Sequence, residues 1–368
     1  MGEIERNIQF LLGWDVQNGF HGKERQSQSM TNEPRARAIS LKLGSRQPGN
    51  QVVVSDLCYY AQDYLMDTNP KPLVHLERLD RAAYQAHLPG SWRGDMLKNK
   101  TKYYEPQKFY RFSPKLLADL PSDTEARLRE YVSEIENRLL NTFYLGPLRE
   151  QPKRYYVATG ERPNDLGLNG QKIGTVLYAA EGEGKLIKET SEWLMRLGIA
   201  ESVSLSRLAK GNIFHLNIHG NNQRINVNIA DFGFGASQIL PVIVESLYSP
   251  TGSTILVEQP EIHLNAHHQL ELPNFFAEIV SKHGKQAIVE THSEYFLKRL
   301  STLVATDQIS HERVIVYYCY ADQEGSHIQP INLDAKGRYA WWPKDFLAEG
   351  YEGTAEHMEA MQAGESVS

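Results

Sequence analysis

The sequence predicts an α/β protein: a parallel or mixed sheet flanked by helices, with an antiparallel β-hairpin and a helical insertion. The first observation is that short apolar strands alternate with helices after residue 230, as in "STILVEQ" and "KQAIVETH". The second is "IFHLNIHGNNQRINVNI", in which apolar and polar residues alternate on both sides of a turn sequence. The third is the helical apolar periodicity of "PSDTEARLREYVSEIENRLL".

Composition places the chain among ordinary globular proteins. Its 368 residues are 41% hydrophobic and 23% charged, which suits two domains or one large α/β domain with an insertion. The net charge of −6 gives no overall basic signature for nucleic acid. Cys58 and Cys319 form no C-x-x-C motif, and no apolar run approaches the ~20 residues of a membrane span. The N-terminus also lacks a signal-peptide pattern, so we expect a cytoplasmic protein.

The first 120 residues carry weaker patterns. The runs "EIERNIQFLL" and "QVVVSDL" predict strands, and "KPLVHLERLDRAAYQAHL" predicts a helix. The segment "SWRGDMLKNKTKYYEPQKFYRF" is basic with interleaved aromatics. It is typical either of an exposed surface segment or of a nucleic-acid contact made by stacking and charge.

From residue 121 onward the element boundaries are clearer. Ser122 and Glu125 have the spacing of a capping box at a helix start. "FYLGPLR" predicts a short strand, and a helix over 187–197 is expected to stop at Gly198. After the hairpin we expect helices near 239–247, near 270–280 and in "EYFLKRLSTLV", with "RVIVYYCY" as a third strand of the parallel sheet. The predicted organisation is an N-terminal lobe over 1–120, a helical insertion over 121–210, a core over 211–330 and a tail over 331–368.

Three loops fall at strand ends or at a helix start, where parallel sheets bind ligands. In "DFGFGASQ", Gly233 and Gly235 let the backbone approach an anion, Ser237 can donate a hydrogen bond, and the following helix presents free N–H groups. A plain strand-to-helix turn is the alternative interpretation.

The other two loops carry a carboxylate and a histidine. Glu258 ends a buried strand, where a carboxylate can hold a magnesium-bound water beside a nucleotide. His292 ends the next strand and can bind a phosphate oxygen or orient water. An ordinary strand-end acid and a structural histidine are the alternatives. Ser237 precedes Glu258 by 21 residues and Glu258 precedes His292 by 34, so each gap fits one helix plus one strand.

This order of loops resembles ABC-class ATPases of the SMC and DNA-repair type: signature loop, Walker B strand, switch histidine. "YLGPLRE", "DFGFGASQILPVIVES", "ILVEQPEIHLNAHHQLEL" and "IVETHSEYFLKRL" are similar to a family of bacterial AAA/ABC-like ATPases, related to OLD-type proteins and phage-defence ATPases. The tail "YAWWPKDFLAEGY" resembles that family's C-terminal domain of unknown function. The resemblance covers about residues 140–350 and implies an ABC-type ATPase head that uses ATP and Mg²⁺.

The resemblance also implies roles for particular residues. The signature loop, which contacts the γ-phosphate of ATP held by an opposite subunit, corresponds to Gly233, Gly235, Ser237 and Gln238. Glu258 corresponds to the Walker B acid that holds Mg²⁺, and His292 to the switch histidine.

Gln259 stands where many ABC ATPases carry the catalytic glutamate, and Glu261, two residues further on, is a candidate substitute base. Arg149 matches a family arginine to which the sequence assigns no role. His263 and His267 have i, i+4 spacing but lack a third ligand, so no metal site is expected at this pair.

The sequence lacks G-x-x-x-x-G-K-[ST], the loop that cradles the β- and γ-phosphates. Two explanations stand: a chain cut before that loop by truncation, a misplaced start or a split gene, or a natural pseudo-ATPase that completes a partner's site. Either way we expect the chain alone to be inactive as an ATPase. Expected partners are a second copy or a P-loop-containing subunit, with DNA or a nuclease as further candidates and no membrane. A nuclease domain is not expected, because the sequence has no HNH arrangement and only a short tail.

Overall fold

The structure is a computed structural model that divides into two compact units, residues 1–140 and 141–368. It describes residues 8–15, 36–46, 51–60, 72–80, 83–87, 111–118, 120, 122–208, 212–220, 226–322 and 325–343. The domain boundaries predicted at 120, 210 and 330 stay predictions. Within the described ranges, no helix is both long enough and apolar enough to cross a membrane.

The first unit contains a five-stranded antiparallel sheet whose strands follow one another in chain order. They are β1 (Ile8–Asp15), β2 (Ala36–Arg46), β3 (Gln51–Tyr60), β4 (Pro72–Asp80) and β5 (Ala83–His87). Two helices come after them, α1 (Pro114–Ala118) and α2 (Ser122–Leu140). The strands predicted in "EIERNIQFLL" and "QVVVSDL" are confirmed, and so is the helix start at Ser122.

The helix predicted in "KPLVHLERLDRAAYQAHL" is wrong, because this segment forms β4 and β5. Its residues 74–77 alternate apolar and polar as a strand does, and β3 offers them an edge to pair with. Leu57 pairs with Leu76 and Tyr59 with Val74 in that register. The basic aromatic segment at 91–112 lies, apart from Arg111 and Phe112, outside the described residues.

The second unit holds the elements that carry the predicted loops. In chain order they are β6 (Thr142–Leu145), β7 (Tyr156–Val157), α3 (Ile173–Ala180), α4 (Lys185–Arg196), β8 (Ser202–Arg207), β9 (Ile213–His219), β10 (Asn226–Asn228), α5 (Phe234–Tyr248), β11 (Thr254–Glu258), α6 (Ala266–Ser281), β12 (Gln286–Glu290), α7 (Glu294–Ala305), β13 (Ile315–Asp322) and β14 (Gly325–Asn332).

A parallel three-stranded sheet in the order β12-β11-β6 lies at the centre of this unit. One face is buried against the helices, because Phe143, Leu145, Ile255 and Val257 join a core that α3 to α6 supply. The other face of the sheet is more exposed to solvent, and Ile288 on that face is 48% exposed. The predicted α/β class, with a parallel sheet flanked by helices, is therefore confirmed.

The predicted hairpin is confirmed as β9 and β10, with His219 opposite Asn226. The inward residues of β9 are fully buried; they are Phe214, Leu216 and Ile218. Strands β7 and β8 also pair with β9, which makes this an antiparallel sheet of four strands.

The placement of "RVIVYYCY" in the parallel sheet is wrong. It forms β13, which pairs antiparallel with β14, and the third parallel strand is β6. The chain turns back between Asp322 and Gly325, so the partner of β13 is the segment right behind it.

Candidate functional site

The carboxyl ends of β6, β11 and β12 form one edge of the parallel sheet, which we call the rim. Glu258 ends β11 and Glu290 ends β12, and the two residues are register partners. Register partners project to the same face of a sheet, so these carboxylates lie side by side. From β6, the Tyr144 hydroxyl donates a hydrogen bond of 2.7 Å to Glu258 Oε1. This bond, before all other causes, raises the pKa of Tyr144.

Arg149 lies just beyond β6 and is only 5% exposed. Its guanidinium donates to the carbonyl oxygens of Glu258 at 2.6 Å and Gln259 at 3.0 Å, and to Pro147 at 3.2 Å. Burial lowers the pKa of Arg149 to about 10, so the group keeps its charge at neutral pH. The positively charged guanidinium therefore links the backbone that follows β6 to the backbone at the end of β11.

The backbone turns sharply where β11 ends. Gln259 has a φ of 45°, in the left-handed region that non-glycine residues rarely adopt. Its N–H donates to the Glu290 carbonyl at 2.8 Å, which ties β11 to β12. Strained backbone of this kind is concentrated at functional sites. Whether Gln259 takes part in catalysis stays a prediction.

Glu261 is buried, with 8% exposure, and Oε1 accepts a hydrogen bond of 2.8 Å from the backbone N–H of His292. Its other oxygen, Oε2, has no hydrogen-bond partner in the part of the chain that the structure describes. The carboxylate thus holds the exit of β12 in place. The role of general base would fall to Oε2, and it stays a prediction.

The side chain of His292 is 70% exposed at the rim, with Nε2 4.0 Å from Glu290 Oε1. The structure therefore brings His292 and Glu258 to the same edge. Glu290 is a rim residue that the sequence reasoning missed. The signal for it was present, because Glu290 is the last residue of its strand just as Glu258 is of β11.

The glycine loop, residues 233–237, begins α5 and contacts the loop that follows β11. A Cβ on Gly235 would lie 2.9 Å from the His263 carbonyl oxygen, so only glycine fits there. The Phe234 ring packs edge-on against His263, with 4.7 Å between the ring centroids. A Cβ on Gly233 would meet no atom within 4 Å. The loop therefore has one side closed by His263 and an open side at Gly233.

Ser237 and Gln238 point inward. The Ser237 hydroxyl donates to the Phe234 carbonyl at 2.7 Å, and the residue is 4% exposed. Gln238 is also buried, and its Nε2 has no partner within the described ranges. Contacts of these two side chains with a phosphate stay predictions.

No group of three or more His, Cys, Asp or Glu side chains in the described residues is arranged to hold a metal ion. A single carboxylate is nevertheless a usual protein ligand for Mg²⁺ when nucleotide phosphates and water supply the other oxygens. Glu258 fits that mode. His263, one of the two histidines with i, i+4 spacing, has a φ of 63°, and its ring packs against the Phe234 ring.

Comparison with known proteins bears on this site. Residues 175–297 match the family model described as an AAA ATPase domain. That segment, about a third of the chain, includes the glycine loop, Glu258 and His292. The resemblance to AAA ATPases is therefore confirmed for that segment. The link to OLD-type and phage-defence proteins stays a prediction.

Solved structures give weaker likenesses. The SMC head domain from Thermotoga maritima is 10% identical, with 81% of this chain and 74% of that chain covered and a TM-score of 0.34. The Smc head domain from Pyrococcus furiosus, bound to the C-terminal domain of ScpA, is 12% identical, with 90% and 82% covered and a TM-score of 0.31. Such low TM-scores carry no argument for fold or function. No curated protein matches the sequence.

Proposed function

We propose that this chain is a component of an SMC-like, ABC-class ATPase and contributes the magnesium-holding and γ-phosphate-facing part of an ATP site shared between two subunits. The observation that supports it is the rim, where Glu258 and His292 end neighbouring strands. The glycine loop adjoins the same edge through His263. Parallel sheets bind their ligands at such edges.

The residues present fit part of a Mg²⁺·ATP site. Glu258 offers a carboxylate to Mg²⁺, and Tyr144 fixes its orientation. The open N-terminus of α5 at Gly233 offers backbone N–H groups and the positive end of a helix dipole to an anion. His292, exposed beside Glu290, is placed to hold a water or a phosphate oxygen. Bound Mg²⁺ would neutralise phosphate charge, which is its contribution in this class of reaction.

The sequence supplies no G-x-x-x-x-G-K-[ST] loop for the β- and γ-phosphates. The proposal therefore assigns that loop to a partner subunit, with the ATP between the two. Control of a nuclease partner or of DNA engagement in phage defence is the setting that we propose for it, on the basis of the resemblance alone.

Mg²⁺·ATP hydrolysis tests the proposal. The pure chain is expected to turn over no ATP, and mixing it with a homologue that carries an intact P-loop is expected to stimulate hydrolysis. Gly233→Glu should abolish this stimulation, because it places a negative charge on the open side of the glycine loop. The matched control is Gly182→Glu, since a Cβ on Gly182 also meets no atom within 4 Å. Hydrolysis by the pure chain that Glu258→Ala removes would refute the shared site.

A second candidate is a non-catalytic interaction subunit that only completes a partner's ATP site. Gln259 in place of a carboxylate, together with the burial of Glu261, favours it. The same mixture separates the two functions. If Gly233→Glu abolishes stimulation while Glu258→Gln leaves it intact, this chain contributes the glycine loop and no magnesium site.

A further inference from the structure

Arg149 is a buried cation with no assigned role. Within the described residues, its hydrogen-bond partners are three backbone carbonyls, those of Pro147, Glu258 and Gln259. Taking a guanidinium out of water is costly, so an arginine that is 5% exposed needs partners that match its geometry. A planar fork with five donors can reach several carbonyls at once, which a lysine ammonium does less well.

The three carbonyls are informative because two of them, those of Glu258 and Gln259, stand on either side of the Gln259 N–Cα bond, about which φ is measured. The Gln259 φ of 45° is unfavourable for a residue with a Cβ. Hydrogen bonds to the carbonyls on both sides of this residue hold the turn in that conformation. Glu258 is the residue immediately before it, so the direction of the Glu258 side chain depends on the same turn.

We propose that Arg149 is a positioning residue for Glu258: by anchoring the carbonyls of Glu258 and Gln259 to that of Pro147, it fixes the Glu258 carboxylate at the rim, within hydrogen-bond distance of Tyr144. This role of Arg149 depends on the proposed function in one respect only, namely that the Glu258 carboxylate binds Mg²⁺. The Glu258–Tyr144 bond reports the position of the carboxylate without any nucleotide.

The Tyr144–Glu258 hydrogen bond provides a readout that separates two roles of Arg149. If Arg149 only stabilised the fold, its replacement would leave the energetic coupling between Tyr144 and Glu258 unchanged. If Arg149 positions Glu258, its replacement releases the carboxylate and the coupling disappears.

The experiment measures this coupling in the full chain by urea denaturation of Tyr144→Phe, Glu258→Gln and the double variant. The same cycle in the Arg149→Lys background is expected to show no coupling, because a lysine ammonium does not supply the guanidinium fork. A coupling equal to that in the wild-type background would overturn the proposal.

Lys285 offers a matched control at the opposite edge of the same sheet. It is 2% exposed, and its ammonium donates to the carbonyls of Ser246 at 2.6 Å and Leu247 at 3.2 Å. Lys285→Met therefore removes a comparable buried cation away from the rim. It is expected to lower thermal stability without changing the coupling between Tyr144 and Glu258. A loss of coupling as large as that in Arg149→Lys would overturn the proposal, because general loosening would then explain both results.

Binding of Mn²⁺·ATP, with Mn²⁺ as a paramagnetic probe, separates this inference from the proposed function. Arg149→Lys is expected to weaken binding by about tenfold, in the range found for groups that orient metal ligands. In the Glu258→Gln background it should cause no further loss. This binding is measured in the mixture with the P-loop-carrying homologue, because the proposed site is shared. If the mixture binds no more Mn²⁺·ATP than the homologue alone, the proposed function fails, and the coupling between Tyr144 and Glu258 still decides the role of Arg149.

Discussion

Tyr144 and Glu258 are joined across neighbouring parallel strands by a hydrogen bond of 2.7 Å, although 114 positions separate them in the sequence. The bond links the phenol on β6 to the carboxylate that ends β11. It holds a charged group at the rim by a contact that leaves one carboxylate oxygen, Oε2, for a ligand.

Tyr144→Phe removes this bond and is expected to lower the free energy of unfolding by about 1 kcal/mol, the usual net contribution of a hydrogen bond. Urea denaturation of Tyr144→Phe, Glu258→Ala and the double variant gives the coupling between the two residues. Tyr155→Phe is the control, because Tyr155 is 59% exposed and its change should cost little. Strict additivity of the two single changes would contradict the bond.

Glu245 on α5 makes stability depend on pH. It is 1% exposed, accepts a hydrogen bond of 2.7 Å from the Leu166 N–H, and burial raises its pKa from 4.5 to about 7. The folded protein therefore binds this proton more tightly than the unfolded chain. The stabilisation is fully present below pH 4.5 and is lost as the pH rises to about 7.

Glu245→Gln is expected to remove this part of the pH dependence, which amounts to at most about 3 kcal/mol. Lys285, whose pKa burial lowers to about 8, contributes its own dependence only above that window. Urea unfolding between pH 4.5 and 7.5 measures the slope. Glu192→Gln on the exposed face of α4 is the control, and a slope equal to the wild type in Glu245→Gln would refute the assignment.

Gly198 ends α4 with a φ of 73°, a conformation in which a Cβ is strained. Gly198→Ala is expected to lower the free energy of unfolding by about 1 kcal/mol. Crowding does not explain the loss, because the new Cβ would meet its nearest atom, His268 Nε2, at 3.7 Å. Gly233→Ala is the matched control: Gly233 has a φ of −50° and open space around it. Equal stability of the two variants in thermal unfolding would argue against strain at Gly198.

Local sequence patterns predicted much of the fold. Helix α4 and its stop at Gly198, the β9–β10 hairpin and strands β11 and β12 follow from periodicity and turn residues. The predictions are wrong where pairing between strands determines the structure of a segment. Residues 72–87 become strands because β3 offers an edge, and β13 leaves the parallel sheet because β14 follows it directly. Neither partner can be identified from the periodicity of the segment itself.

The site was predictable to the same degree. Because parallel strands end at a common edge, the sequence alone placed Glu258 and His292 together. Tyr144 was not predictable, since the neighbour of β11 on that side comes from a strand more than a hundred residues earlier. The inward direction of Ser237 depends on how α5 packs, which a glycine pattern does not specify.

The ends of all three parallel strands are fastened to one another: Arg149 connects the first two, and the Gln259 N–H and Glu261 connect the second to the third. A displacement imposed on the backbone of Glu258 must therefore carry Pro147 and His292 with it. A ligand that displaces one of these strand ends would therefore displace all three together. Independent movement is expected instead at positions such as Gly233, where no neighbouring atom obstructs the backbone.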